Sequence, residues 1–167
     1  DESPAEYKPT FEALNERPQD APEVGGDAQI AAFNVFNYFT TLRSEDSDAR
    51  GASTAAQFAI QKSKIVSAIS GLGADIVALM EIENSIQYGK PLDTAVADLV
   101  AGLNEAEGED VWDYVRTPAA LDDPTITDAI TNAIIYRTDA VTPVGDSATI
   151  IDEDVWDNAR EPIAQAF

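Results

Sequence analysis

Two short stretches hold residue types that could act together as a chemical site: Ala31 to Phe39, AAFNVFNYF, and Asp75 to Asn84, DIVALMEIEN. Each is an apolar run carrying a group able to grip a metal ion, Asn34 in the first and Glu81 in the second. Burying an unpaired carboxylate costs on the order of several kcal/mol, so a cation, an arginine or a set of donors is expected beside Glu81. Oxygen ligands from one carboxylate and one amide suit a hard divalent ion, Mg2+ or Mn2+ first and Ca2+ after them. Mg2+ keeps several of its waters and draws its remaining ligands from substrate phosphate. Such a site favours phosphoryl chemistry. Taken singly, each residue also admits a plainer reading, Asn34 as a strand-end amide bonded to backbone and Glu81 as a solvated acid where a strand leaves its sheet.

The elements that must position the pair are legible on either side of it. Ile30 to Phe36 is an apolar run whose length and β-favouring residues predict a buried strand. A helix is expected from about Ser53 to Ser70, with Ala55, Phe58, Ala59, Ile65, Val66 and Ile69 at helical spacing, Ser53 as its N-cap and Gly71 and Gly73 as stops. The next apolar run, Ile76 to Met80, predicts a second strand closed by Glu81. A strand-helix-strand unit of this kind brings Asn34 and Glu81 to the same sheet edge. Between the first strand and the helix, Thr40 to Gly51 is a polar loop carrying Arg43 and Arg50, expected to form a rim or flap.

Further along, a second helix is expected over about Thr94 to Ala106 and a half-exposed strand over Val111 to Val115. A Pro-containing loop spans residues 116–127. Ala129 to Tyr136, Val141 to Val144 and Ala148 to Ile151 read as strands joined by tight turns at Thr138-Asp139 and Gly145-Asp146. The acids Asp152, Glu153, Asp154 and Asp157 around Trp156 lack the Gly and the distal Glu of a helix-loop-helix calcium site, which favours a solvated loop. Residues 1–27 are acidic, contain Pro and Gly and show little periodicity, as in a linker or surface arm.

The string GGDAQIAAFNVFNYFTTL, then RGASTAAQFAIQKSKIVSAISGLGADIVALMEIEN, then TDAITNAIIYRTDAVTPVG resembles the catalytic domain of bacterial extracellular nucleases. These belong to the endonuclease/exonuclease/phosphatase superfamily of metal-dependent, deoxyribonuclease-like phosphoesterases. The resemblance runs from about Asn15 to Phe167, and implies a catalytic domain over residues 28–167 after the acidic arm. It implies an α+β fold, a layered α/β/β/α sandwich of two facing mixed sheets flanked by helices, of which this chain holds part. It also implies that Asn34 and Glu81 are catalytic and bind or orient the metal, with Asn37 and Asn84 lining the substrate site beside Ile82 and Glu83. The segment around Asp128 and Tyr136 to Arg137 matches a strand that borders the substrate groove. The implied partners are a nucleic acid or another phosphoester, and the implied location is extracellular or at the cell surface.

The departure from that pattern is the absence of any histidine. The superfamily uses two His residues and an Asp-x-Asn motif, and Arg160 to Phe167 resembles the strand leading into the first of those His motifs. The expectation is therefore an N-terminal part of a longer catalytic domain, partnered by its C-terminal remainder and inactive alone, with an uncovered apolar sheet face. The chain opens on Asp1 rather than Met, as after processing or excision from a larger protein.

Composition bounds these readings. The 167 residues, 44% of them hydrophobic, suffice for one domain with a real core, and no apolar run approaches the roughly 18 residues that a membrane span needs. The absence of Cys excludes disulfides, zinc-cysteine sites and thiol catalysis. The net charge of −21, from 31 acids against 10 bases, opposes binding of a polyanion. It keeps two alternatives open, a phosphomonoesterase or small-molecule phosphodiesterase, and a non-catalytic acidic binding module.

Overall fold

The computed structural model describes residues 10–12, 14, 18, 21–22, 24–123, 125–151 and 160–167. The fold is α+β. A mixed four-stranded sheet has the order β1-β2-β4-β3, from β1 (Ile30–Tyr38), β2 (Ile76–Glu83), β3 (Trp112–Tyr114) and β4 (Ile130–Arg137). β1 and β2 run parallel, joined through helix α1 (Ala55–Ser70), while β4 is antiparallel to both β2 and β3. Helix α2 (Thr94–Glu107) lies between β2 and β3 in the chain, and β5 (Val144–Thr149) and β6 (Ile163–Ala166) form a separate antiparallel pair.

Strand alternation divides the larger sheet into two faces. Val77, Leu79, Ala133 and Ile135 point to the helices and join Ile65, Val66 and Ile69 of α1 and Val96, Leu99 and Leu103 of α2 in the main core. Their neighbours Ile76, Ile134 and Tyr136 point the other way, toward Val141 and, from β6, Ile163. On that second face Ile30 and Ala32 at the β1 edge stay exposed. α2 is fastened to β3 by a reciprocal pair, Asn104 Nδ2 donating to the Trp112 carbonyl at 3.0 Å and the Trp112 N–H donating to Asn104 Oδ1 at 2.8 Å.

Several expected details differ. Thr54, not Ser53, caps α1: its hydroxyl accepts the Gln57 N–H, and Gln57 Oε1 accepts the Ser53 N–H in return. Only the C-terminal half of the α1 stripe is buried; Ala55 and Ala59 are exposed, while Phe58 between them packs against Tyr38. The expected strands Val141–Val144 and Ala148–Ile151 are replaced by the single strand β5, and the expected turn at Gly145-Asp146 lies within it, Gly145 taking a φ of 72° at a register shift. The turn after Arg137 is present. The loop Thr40–Gly51 is no free flap, since Thr41 and Ala49 are buried and Ala49 packs with Phe39 and Ile130. The described residues among 10–27 are exposed and outside any helix or strand. The acids around Trp156 lie outside the described residues. No helix among the described residues is long and apolar enough to cross a membrane.

Candidate functional site

β1 and β2 lose their strand period at the same height. Val35 and Tyr38 both face the helices although they are three residues apart, and so do Leu79 and Ile82. In a regular strand such pairs would face opposite ways. The slip is visible in the register: from Asn34 to Tyr38 β1 takes four steps while β2 takes two, from Met80 to Ile82. It is absorbed by left-handed backbone at Phe36 (φ 53°), Asn37 (φ 53°) and Glu81 (φ 66°), none of them glycine. Each such residue stores about 1–3 kcal/mol, which persists only where surrounding contacts fix it.

Those contacts converge on Glu81. Asn34 Nδ2 donates to Glu81 Oε1 at 2.8 Å, and the Asn37 N–H donates to Glu81 Oε2 at 3.1 Å. Asn34 Oδ1 accepts the Phe36 N–H at 2.8 Å, which fixes the amide orientation, because a flipped amide would set NH2 against N–H and oxygen against carboxylate. From α1, Gln61 Nε2 donates to the carbonyls of Phe36 at 2.9 Å and Asn37 at 3.2 Å, holding both left-handed peptides from behind. Gly51 completes the cradle: a Cβ there would lie 2.5 Å from Phe39 Cβ and 3.3 Å from the Asn37 carbonyl, so only glycine lets the Thr40–Gly51 loop close against the bulge.

The structure thus brings Asn34, Asn37 and Glu81 together. Asn34 is exposed on an edge strand rather than buried, and it meets Glu81 through its NH2, so it orients the carboxylate instead of offering an oxygen alongside it. Asn84 is placed differently: it is buried, and its Nδ2 donates to the Asp128 carbonyl at 3.0 Å, fastening the end of β2 to the start of β4. Asp128 in turn meets Arg160 Nε at 2.9 Å and, more loosely, Arg50 Nη1 at 3.8 Å. Glu83, two residues beyond Glu81, is enclosed and accepts from Thr40 Oγ1, the Thr41 N–H and Ser85 Oγ. Sequence reasoning missed Gln61 and Gly51; a Gln four residues after Gln57 in the face of a helix, and a Gly three residues before the N-cap of that helix, were the available signals.

Each Glu81 oxygen accepts one hydrogen bond and has capacity for more. Among the described residues no three His, Cys, Asp or Glu side chains cluster as a metal cage. A single carboxylate of this kind fits Mg2+ in the mode that retains most of its waters, and does not by itself form the many-oxygen cage that Ca2+ takes. Protein-family models, curated proteins and solved structures were compared with the chain, and none matches.

Proposed function

We propose that the chain carries the metal-binding part of a phosphoester-hydrolysing site, with Glu81 as the ligand for Mg2+ or Mn2+ and Asn34 as the residue that aims it. The observation that carries this reading is the 2.8 Å contact of Asn34 with Glu81 across two strands that both slip at that point. The slip also turns Tyr38 and Ile82 into the core, but left-handed backbone at three non-glycine residues around one carboxylate is the kind of strain that clusters at working sites. A divalent ion held there supplies electrostatic stabilisation for charge developing on phosphoryl oxygens. The chain's own part is to fix the carboxylate through Asn34 and the Asn37 N–H. Asn84 acts at one remove by holding Asp128. No histidine occurs in the 167 residues, so the reading assigns water activation to groups outside them.

The resemblance to extracellular nucleases supports nucleic acid as substrate, secretion as the location and the layered two-sheet sandwich as the complete architecture. The charge of −21 favours a second reading, hydrolysis of a small phosphoester that needs few phosphate contacts. The test is Glu81→Gln in the full-length protein, assayed on plasmid DNA and on a nucleoside monophosphate across a Mg2+ titration. The reading expects a loss of about 100-fold or more with a weakened metal requirement; an unchanged rate removes Glu81 from the mechanism. The preferred substrate separates the two enzymatic readings, and undiminished Mg2+ binding without turnover on either substrate would favour an acidic binding module.

A further inference from the structure

A groove of about 620 Å³ runs along the outer edge of β1 beneath α1, beginning at Asn34. Its size falls in the range of roughly 300–1,000 Å³ usual for small-molecule sites. Gln57, Ile60, Gln61, Lys64 and Ala68 reach it from one face of the helix, at the spacing that stacks side chains over successive turns. Phe33 and Phe36 come from β1, and Arg50 comes from the loop that Gly51 allows to close. Two features set this groove apart. Its lining among the described residues holds two bases, Arg50 and Lys64, and no Asp or Glu, in a chain where acids outnumber bases 31 to 10. Phe36, an aromatic 79% exposed, is held at its strained φ of 53° by the hydrogen bonds to Asn34 and Gln61, so its position beside Glu81 is fixed by contacts and not by burial.

An apolar floor, an exposed ring and two cations with no acid among them match a ligand that has both an aromatic plane and a phosphate. We infer that the groove binds a single nucleotide unit, its base against Phe36 and its phosphate near Arg50 and Lys64. The inference deepens the phosphoesterase reading by naming the substrate class, and rests on it only for the claim that the bound unit is substrate. It also fits so acidic a protein: the lining carries two cations and no carboxylate, although Asp128 stands 3.8 Å from Arg50 and Glu81 meets Asn34 at the groove's end, so one phosphate finds partners here while the rest of the surface repels a long polyanion. A mononucleotide is therefore the occupant that the charge distribution favours over an extended strand.

Binding to the full chain is measured by calorimetry in EDTA, so that metal and turnover play no part, with adenosine 5′-monophosphate, adenosine and inorganic phosphate as probes. The monophosphate should bind about ten-fold or more tighter than either fragment, and Phe36→Ala and Arg50→Ala should each weaken it by about ten-fold. Arg116→Ala, on the far side of β3, should leave it unchanged, and circular dichroism of each variant verifies folding. Lys64→Ala, on an exposed helix position, gives a second cation variant with little risk to the fold. Equal affinity for the three probes, or affinity untouched in folded Phe36 and Arg50 variants, overturns the proposal. An oligonucleotide that binds far more tightly than the monophosphate would assign the groove to a strand, and self-association lost on Phe36→Ala, without nucleotide binding, would assign it to a second copy; either overturns it. Because no metal is present, failure here leaves the Glu81 reading standing, and failure of the Glu81→Gln test leaves the groove standing.

Discussion

Glu81 and Glu83 occupy the same strand two residues apart, yet the fold treats them as opposite kinds of carboxylate. Glu83 has a fully enclosed side chain; Oε1 accepts from Thr40 Oγ1 at 2.8 Å and Ser85 Oγ at 3.0 Å, Oε2 accepts the Thr41 N–H at 2.7 Å, and Lys90 Nζ stands 3.9 Å from Oε1. Glu81 is half-buried, has one donor on each oxygen and sits on backbone that strains to hold it. A carboxylate whose acceptor sites are filled by its own chain is a fastening. One that is aimed but left with open acceptor capacity is what the proposed metal role requires. Glu83 pins the start of the Thr40–Gly51 loop to β2, and that loop carries Gly51 and Arg50 to the bulge, so the fastening also holds the surroundings of Glu81.

The sharpest way to break this contrast is to delete each acid in turn. Glu83→Ala should destabilise the chain by about 2–4 kcal/mol, because it leaves the Thr40 and Ser85 hydroxyls and the Thr41 N–H around a cavity, while Lys90 keeps its bond to Thr40. Glu81→Ala should change stability by less than about 1 kcal/mol, since two lost hydrogen bonds are offset by water at an accessible site. Urea unfolding of the two variants checks both values. Equal losses would end the distinction.

The meeting of Asn34 with Glu81 was legible because it depends on topology: two apolar runs joined by an amphipathic helix become neighbouring parallel strands, and their polar ends follow. The difference between Glu81 and Glu83 was not. In a regular strand the two would share a face, and only the slip at Glu81 changes what each one meets. That slip is written in no local propensity; Phe36 and Glu81 are poor choices for left-handed backbone, and they adopt it because Gln61 and Asn34 hold them there. The cap at Thr54 in place of Ser53 was a choice between adjacent hydroxyls that the reach of Gln57 decides. The expected pair of short strands before Ile151 failed for a related reason, as Gly145 serves as a bulge within β5 where its sequence reads as a turn.

The cradle of Glu81 can be loosened from either side. Gly51→Ala forces a Cβ to within 2.5 Å of Phe39 Cβ, where neither backbone can yield freely, and should cost about 1–3 kcal/mol in thermal or urea unfolding. Gln61→Ala removes the donor shared by the Phe36 and Asn37 carbonyls, and both can turn to water, so the expected cost is about 0.5–1.5 kcal/mol. Its local signature is faster hydrogen exchange at the Asn37 amide, the donor to Glu81, with the Thr41 amide at Glu83 unchanged. Equal acceleration at both amides would mean that one cooperative unit holds the two acids.

The smallest effect concerns Tyr38, which ends the bulge on the core side and donates its hydroxyl to Asp98 at 2.6 Å, with Lys62 Nζ 2.9 Å from the same carboxylate oxygen. Burial, and then the hydrogen bond and charge of Asp98, push the phenol well above its ordinary value near 10. The unfolded chain ionises this group above about pH 10 and the folded chain does not. The stabilisation that a raised value represents is therefore complete below pH 10 and drains away as pH rises beyond it. Tyr38→Phe should flatten that alkaline decline in urea midpoints while leaving the neutral-pH contacts of Glu81 in place. A decline as steep in the variant as in the parent would transfer the alkaline sensitivity to other groups, and with it the claim that the bulge is anchored from the core at Tyr38.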